Sequence, residues 1–374
     1  MLTASRVRDL AAHTGDPAVA SVYLDVDGRH RPVWADCVTA FDHLADQLVR
    51  RAAQRGDLSL SRSVDGDVAR MRAWLQAGVD RERTRGVALF ACAEQDYFEA
   101  VEVPAPLRDD AGVGAVPRVG PLVALLDGRR RALVALVDRR RLRVLRSELG
   151  EVSEVLAAED PEPRAVDTSV EVGSFERHDG EAAEVHYRRA AGLVEQACRD
   201  AAPDHVLVAG PDDAVAGLTR HLPPPVAATV AGRLHLATTA GPAEVAAAVD
   251  GIEDAVDRAR RAAVVEQLMA RAGADDGGVL GIEHVLHALA AGKVGTLVVA
   301  DGFGVAGSSC PSCGALHAGA AGGPCPVCGA ELVACDDVVA AAVARSVAAN
   351  ASVVVCPAGE LDAAAGGIGA LERW

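Results

Sequence analysis

The sequence predicts an α/β fold built in more than one domain, and three observations carry that expectation. Apolar periodicity switches repeatedly between helical and strand-like spacing, as layered α/β architectures require. At 374 residues the chain exceeds what one core, serving roughly 100 to 200 residues, supports. Two Cys-Pro-x-Cys-Gly units in the C-terminal third mark a small zinc ribbon inserted into the last domain.

Taken in order, residues 21–26 alternate like a strand, and 36–55 set Val38, Phe41, Leu44, Leu48 and Val49 at helical spacing. A second helix is predicted over 67–77, then strands over 86–92 and 97–103, then a breaker-rich stretch over 104–117. A boundary near Arg118 gives an N-terminal α/β domain over 1–118. The middle segment, 119–252, opens with strands at 131–137, 141–146 and 152–156, joined tightly enough to form a meander. A polar, acidic loop over 157–180 is too long for an ordinary connector, so it is either disordered or functional. A helix over 181–201, strands over 204–209 and 233–237, and a long helix over 243–272 follow. The last domain, 253–374, adds a helix at 282–291, a strand at 296–300, the cysteine insert at 308–330, a helix at 337–348 and a strand at 352–356.

Composition narrows the function classes. A net charge of −16 repels nucleic acid phosphates unless basic residues are grouped locally, so an RNA-binding reading must name a patch. Arg6, Arg8 and Asp9 follow Met1 without the apolar stretch of a signal peptide, and no uncharged apolar run reaches about 18 residues. The expected location is cytoplasmic. Cys37, Cys92, Cys198, Cys335 and Cys356 lie scattered among apolar neighbours and read as buried small hydrophobes in a reducing compartment.

The clearest chemistry is at Cys310, Cys313, Cys325 and Cys328. Two residues between thiolates let one tight turn aim both sulfurs at a tetrahedral ion, Pro fixes part of that turn, and the following Gly accepts unusual dihedrals. Four thiolates close the coordination sphere, so the expected Zn2+ is structural. A redox pair or unligated thiols is the other reading, and His317 stands near enough in sequence to replace one cysteine. Gly302-Phe303-Gly304-Val305-Ala306-Gly307 matches GxGxxG after a predicted strand but runs into Ser308-Ser309-Cys310-Pro311 instead of opening a helix, so it reads as a sharp exit into the ribbon. Walker A, HExxH and GxSxG motifs are missing from the sequence.

The strands assigned to 122–145 with Leu136-Val137-Asp138-Arg139, the long loop and helix, Gly295-Thr296-Leu297-Val298-Val299 and the closing Gly366-Gly367-Ile368-Gly369-Ala370-Leu371 together resemble the bacterial branch of the archaeo-eukaryotic peptide chain release factor 1 family. The resemblance extends over nearly the whole chain and is clearest from about residue 119 onward. It implies an N-terminal α/β domain facing the decoding centre, an RNase H-like middle domain, and a C-terminal domain of the kink-turn-binding ribosomal-protein type. These would mimic a tRNA in the A site of the 70S ribosome. In hydrolytic members the middle-domain loop carries Gly-Gly-Gln or Gly-x-x-Gln, whose glutamine helps place the attacking water. Here the corresponding stretch, Gly173-Ser174-Phe175-Glu176-Arg177-His178-Asp179-Gly180, has no glutamine, and the next one is Gln196. A non-catalytic A-site occupant is therefore expected, analogous to Balon-type hibernation factors delivered with elongation factor Tu. A peptidyl-tRNA hydrolase for ribosome rescue and a protein-binding adaptor are the alternatives.

Arg177 and His178 are candidate contacts to ribosomal RNA, by guanidinium–phosphate pairing and imidazole stacking, or else members of a solvated loop. Glu176, Asp179 and Glu181 suit the helix dipole as well as a general base. Arg129, Arg130, Arg131, Arg139, Arg140, Arg141 and Arg143 form the densest basic grouping, expected to face one side and touch phosphate, or else to be solvated turns. Arg258, Arg260 and Arg261 are explained by i,i+4 pairing on the long helix. The expected partners are the ribosome with its rRNA and elongation factor Tu or another translational GTPase, with neither membrane nor DNA among them.

Overall fold

The structure is a computed structural model describing residues 2–128, 131–160, 172–319, 322–361 and 365–373, with backbone alone over 172–179. The chain divides into two compact units: Met1–Asp127 together with Arg260–Trp374, and Gly128–Ala259.

The N-terminal part of the first unit runs α1 (Ala4–Ala12), β1 (Val19–Asp25), α2 (Trp34–Gln54), α3 (Leu58–Ala77), β2 (Gly86–Cys92), a 3-10 turn (Ala93–Gln95), β3 (Tyr97–Val103), β4 (Asp110–Gly114) and α4 (Gly120–Gly128). Its antiparallel sheet has the order β3-β2-β1-β4. Alternate residues of β1 and β2, Val22, Leu24, Val87 and Leu89, pack against Phe41, Leu44 and Leu48 of α2 and Leu60 and Met71 of α3. Two expectations fail here. Helix α3 begins at Leu58, because the Asp57 side chain accepts from the backbone N–H groups of Ser59 and Leu60 and caps it. The breaker-rich stretch contains β4, where pairing with β1 and burial of Ala111 and Val113 override two glycines of low strand propensity.

The second unit continues with β5 (Ala132–Val137), β6 (Arg141–Glu148), β7 (Glu151–Glu159), α5 (Val172–Ala201), β8 (His205–Ala209), α6 (Asp212–His221), α7 (Pro224–Ala227), β9 (Val230–Leu234) and the N-terminal half of α8 (Pro242–Gly273). The sheet order is β7-β6-β5-β8-β9; β5, β6 and β7 form the expected antiparallel meander, and β8 and β9 join in parallel. Every residue of β5 is buried because both faces are covered. Leu133, Ala135 and Val137 meet Tyr187 and Val194 of α5 and Leu218 of α6, while Val134, Leu136 and Leu207 meet Val245 and Val249 of α8.

The structure corrects several boundaries in this stretch. The loop assigned to 157–180 shrinks from both ends, since β7 persists to Glu159 and α5 begins at Val172. No proline lies between Pro163 and Pro203, and Gly173 and Gly180 each cost about 1 kcal/mol relative to Ala, too little to stop a long helix. Residues 120–128 form helix α4 where a strand had been expected, and β9 lies three residues earlier than expected. Helix α6 was not anticipated.

The C-terminal part of the first unit comprises the rest of α8, β10 (Gly278–Leu280), α9 (Ile282–Ala290), β11 (Val294–Ala300), β12 (Gly307–Ser309), β13 (Leu316–Ala318), β14 (Val333–Cys335), α10 (Val338–Ala348), β15 (Ser352–Cys356) and β16 (Ile368–Glu372). Its main sheet has the order β10-β16-β11-β15, with β11 parallel to β15, over a core of Leu268, Val298, Val354 and Leu361. The ribbon is a separate three-stranded sheet, β13-β12-β14. The GxGxxG run leads into β12 and not into a helix, as its sequence context suggested. Arg260 pairs with Asp127 of α4, a partner that i,i+4 spacing does not anticipate. Arg55 to Asp336 at 2.5 Å and Arg118 to Asp337 at 3.5 Å link the N- and C-terminal parts within this unit, and Arg118 also pairs with Asp110 at 3.4 Å. Among the described residues no helix is long and apolar enough to cross a membrane.

Candidate metal centre and arginine cleft

The two halves of the ribbon repeat one hydrogen-bond plan. Cys310 N donates to Ala315 O at 2.8 Å and Gly314 N to Cys310 O at 2.9 Å; Cys325 N donates to Ala330 O at 2.7 Å and Gly329 N to Cys325 O at 2.8 Å. Each turn closes through a glycine at positive φ, 73° at Gly314 and 79° at Gly329, where a Cβ would strain the backbone. The Sγ atoms of Cys310, Cys313, Cys325 and Cys328 come within 4.8 Å of one another. Cys310 to Cys328 is 3.4 Å and Cys313 to Cys325 is 3.7 Å, close to the separation of about 3.8 Å that a tetrahedral ion with ~2.3 Å Zn–S bonds imposes.

Electrostatics agree with that geometry. The backbone N–H of Cys313 and the neighbouring thiol of Cys328 hold Cys310 down to about 6. Against a backbone N–H from Ala315, burial and the other three thiols push Cys313 up to about 12. Sulfurs this crowded share protons unless a cation replaces them, so the four residues fit a metal ion. His317 Nε2 lies 3.8 Å from Cys325 Sγ, within reach of an N–H···S contact. The Arg345 guanidinium donates to Gly314 O at 2.6 Å and ties the first turn to α10.

The arginines expected to form one patch separate. Arg131, at the start of β5, donates its backbone N–H to Asp204, whereas Arg139 to Arg141 lie beyond the far end of that strand, about 20 Å away at ~3.3 Å per residue. Arg129 and Arg130 fall outside the described residues, as do the side chains of Arg177 and His178, whose backbone belongs to α5.

Asp138, Arg139, Arg140, Arg141, Glu159, Asp160, Pro211 and Asp213 line a cleft of about 700 Å³ just past the carboxyl ends of the parallel strands β5 and β8. That end of a sheet, where neighbouring connections leave in different directions, is where open α/β folds form crevices. The 138–141 turn is held by one carboxylate. Asp138 Oδ1 accepts from Arg140 N at 2.9 Å and Arg141 N at 2.8 Å, and its Oδ2 accepts from the Thr238 hydroxyl at 2.8 Å. Partial burial opposes ionisation of Asp138, yet these donors hold its pKa below the usual carboxylate value. Opposite, Gly210 sits at φ 139° where a Cβ would lie 1.9 Å from Val137 O, so only glycine lets the β8–α6 turn close onto the end of β5.

Each cleft arginine with a described partner faces an acid. Arg139 donates to Asp213 and Arg141 to Glu159, both at 2.9 Å. The pairing lowers the Asp213 pKa and raises that of Arg141. Arg143 donates to Glu154 at 2.6 Å and to the carbonyls of Thr238 and Ala240 at 2.8 Å, making it a tether for that segment. Asp160 binds His186 Nδ1 at 2.6 Å and also Arg189; the His186 bond is the main reason its pKa is depressed. Sequence reasoning found the arginines and missed Asp138, Glu159, Asp160, Asp213 and His186. Asp138 after an apolar strand is a turn signal, and Asp212-Asp213 after Gly210-Pro211 is a helix-start signal, but neither reveals that the two meet across a sheet.

The mixed sheet with its cleft and the four-cysteine ribbon belong to separate units of an α/β chain. Residues 117–254 match the family described as bacterial archaeo-eukaryotic release factor family 10, so the resemblance holds over that segment. No curated protein matches the chain. Similar solved structures include an archaeal translation termination factor, at 16% identity over 100% of this chain and 99% of that one, with a TM-score of 0.27. Pelota from Archaeoglobus fulgidus is 14% identical over 66% of this chain and 65% of its own, with a TM-score of 0.35. The C-terminal domain of a Methanosarcina mazei peptide chain release factor is 25% identical over 35% of this chain and 91% of its own, with a TM-score of 0.27. At these scores the likenesses fix neither a substrate nor a partner.

Proposed function

We propose that this chain is a ribosome-associated translation factor that occupies the A site of idle or stalled ribosomes without cleaving the peptidyl-tRNA bond. The match of residues 117–254 to a release-factor family carries the reading. In support of a non-catalytic role, residues 157–180 contain no glutamine to orient water, and Gln196 is engaged on α5 with Asp200 at 2.9 Å and Arg199 at 2.9 Å. In this reading the N-terminal domain faces the decoding centre and an RNase H-like middle domain reaches toward the peptidyl transferase centre. The C-terminal domain carries the ribbon, in which Cys310, Cys313, Cys325 and Cys328 hold one structural Zn2+. The cleft arginines supply rRNA contacts, delivery falls to elongation factor Tu or another translational GTPase, and the protein works in the cytoplasm.

Peptidyl-tRNA hydrolysis is the second reading, favoured by one observation. Asp160 holds His186 Nδ1 as a carboxylate orients a catalytic imidazole, but the His186 side chain is only 3% exposed, which closes it to attacking water. Co-sedimentation of the zinc-loaded protein with vacant 70S ribosomes over a salt series tests the first reading. Stoichiometric binding that weakens as salt rises is expected, and no binding at low salt, with or without elongation factor Tu, rejects it. Turnover of peptidyl-tRNA under binding conditions would replace the first reading by the second.

A further inference from the structure

The arginine cleft contains its own competitors for phosphate. Arg139 and Arg141 leave opposite ends of a turn fixed by Asp138, and each guanidinium is occupied by a carboxylate from a different element, Asp213 at the start of α6 and Glu159 at the end of β7. Both pairs face solvent: Arg139 and Asp213 are 66% and 51% exposed, Arg141 and Glu159 50% and 62%. Ion pairs this exposed are individually weak because water and salt screen them. A phosphodiester offers a guanidinium two charge-assisted hydrogen bonds and releases counterions when it binds, so it can displace such a carboxylate.

We infer that Asp213 and Glu159 guard a two-arginine phosphate clamp, occupying Arg139 and Arg141 in the free protein and yielding them to the backbone of a ribosomal RNA strand. The inference rests on the ribosomal reading above and adds a control on the same site. Neutralised arginines keep an acidic protein from collecting RNA at random, and only a strand that presents phosphates to both guanidiniums together repays the loss of both guards. The turn is already in place before binding. Asp138 fixes its backbone, and Gly210 allows the close approach that puts α6 beside it, so side-chain exchange is enough to load the clamp.

The test is the affinity of full-length Asp213→Asn/Glu159→Gln protein for vacant 70S ribosomes. Removing the guards should tighten binding by roughly threefold to tenfold at physiological salt and steepen the salt dependence. Adding Arg139→Gln and Arg141→Gln should abolish that gain. Glu195→Gln/Asp200→Asn, on the end of α5 that precedes β8 and so toward the opposite end of that strand from the cleft, should give none of it. If Asp213→Asn disturbs α6, the single Glu159→Gln variant gives the same sign with a smaller gain. Unchanged or weaker binding by the unguarded protein, or an equal gain from the remote pair, overturns the clamp while leaving ribosome binding standing. Failure of the unaltered protein to bind at low salt overturns both.

Discussion

The ribbon and the arginine cleft solve one problem in different ways. In each, side-chain atoms accept backbone N–H groups and so fix a tight turn. At the ribbon the acceptors are sulfurs, Cys310 taking Cys313 N at 3.5 Å and Cys325 taking Val327 N at 3.4 Å, over a minute core of Cys310, Ala315 and Cys325 with Ala330 and Leu332. At the cleft, Asp138 takes two N–H groups above a sheet whose central strand is fully buried. The cleft turn is thus secured by the domain beneath it, whereas the ribbon has four clustered cysteines that could hold an ion and tie its halves together. Where burial of apolar surface is small, ligation must do the ordering.

That contrast predicts its largest effect at the ribbon. Cys325→Ser should abolish stoichiometric zinc, forfeiting a large part of the about 10 to 16 kcal/mol that structural zinc contributes in small modules. Metal content and hydrogen exchange read the two sides of the comparison together. Exchange should quicken across 307–335 and stay unchanged in β5 to β9. Retained protection in the metal-free variant would mean that the small apolar cluster orders the ribbon unaided, and the contrast with the cleft would collapse.

A third aspartate shows what burial does to the same device. Asp67 of α3 accepts Ala93 N at 2.6 Å and so holds the 3-10 turn between β2 and β3, but it is fully buried and its second oxygen has no hydrogen-bond partner. Desolvation raises its pKa from 3.8 to about 7, against the Ala93 N–H and the charge of Arg70. Because the native value lies above the unfolded one, the native state binds more protons between them. Stability from this group therefore falls as pH rises from about 4 to about 7, by a total on the order of 2 to 4 kcal/mol. Asp67→Asn should remove that slope and leave the protein more stable than its parent at pH 8. His13, whose pKa burial lowers, acts with the opposite sign near 6.5, so the difference between variant and parent in denaturant melts is the quantity to read. A difference that does not vary with pH would show that Asp67 is ionised throughout.

How much was legible in the sequence follows from the distance over which each feature is encoded. The ribbon's four clustered cysteines lie within 19 consecutive residues, and their spacing alone dictates the turns, so the cluster was legible before any fold was known. Strands β1, β2, β5, β8, β11 and β15 were legible because continuous or alternating apolar runs leave few other assignments. Strand β4, rich in glycine, exists through its pairing with β1, which no local signal reports. The cleft was half-read for the same reason. The run Arg139-Arg140-Arg141 announces itself, but its carboxylate partners stand 18 residues later at Glu159 and 74 later at Asp213, brought there by the β6–β7 and β5–β8 registers respectively.

The smallest effect tests the cleft side of the comparison. Asp138→Ala removes the acceptor of two backbone N–H groups and of the Thr238 hydroxyl, while the covalent turn, the β5–β6 ladder and the core beneath remain. Water can reach part of this turn and replace some of the lost bonds, so the expected loss is about 1 to 2 kcal/mol, well below the cost of losing the ion from the ribbon. If Asp138 mainly positions the arginines, the variant should weaken ribosome binding by more than its loss of stability explains, since a loosened 138–141 turn must be ordered again on the RNA. Thr238→Ala, which leaves both backbone N–H bonds to Asp138 intact, should lose less stability and keep its affinity. Equal affinity losses in the two variants would locate the positioning in the Thr238 segment, which Arg143 also tethers, and would make the cleft as dependent on long-range contacts as the ribbon is on its ion.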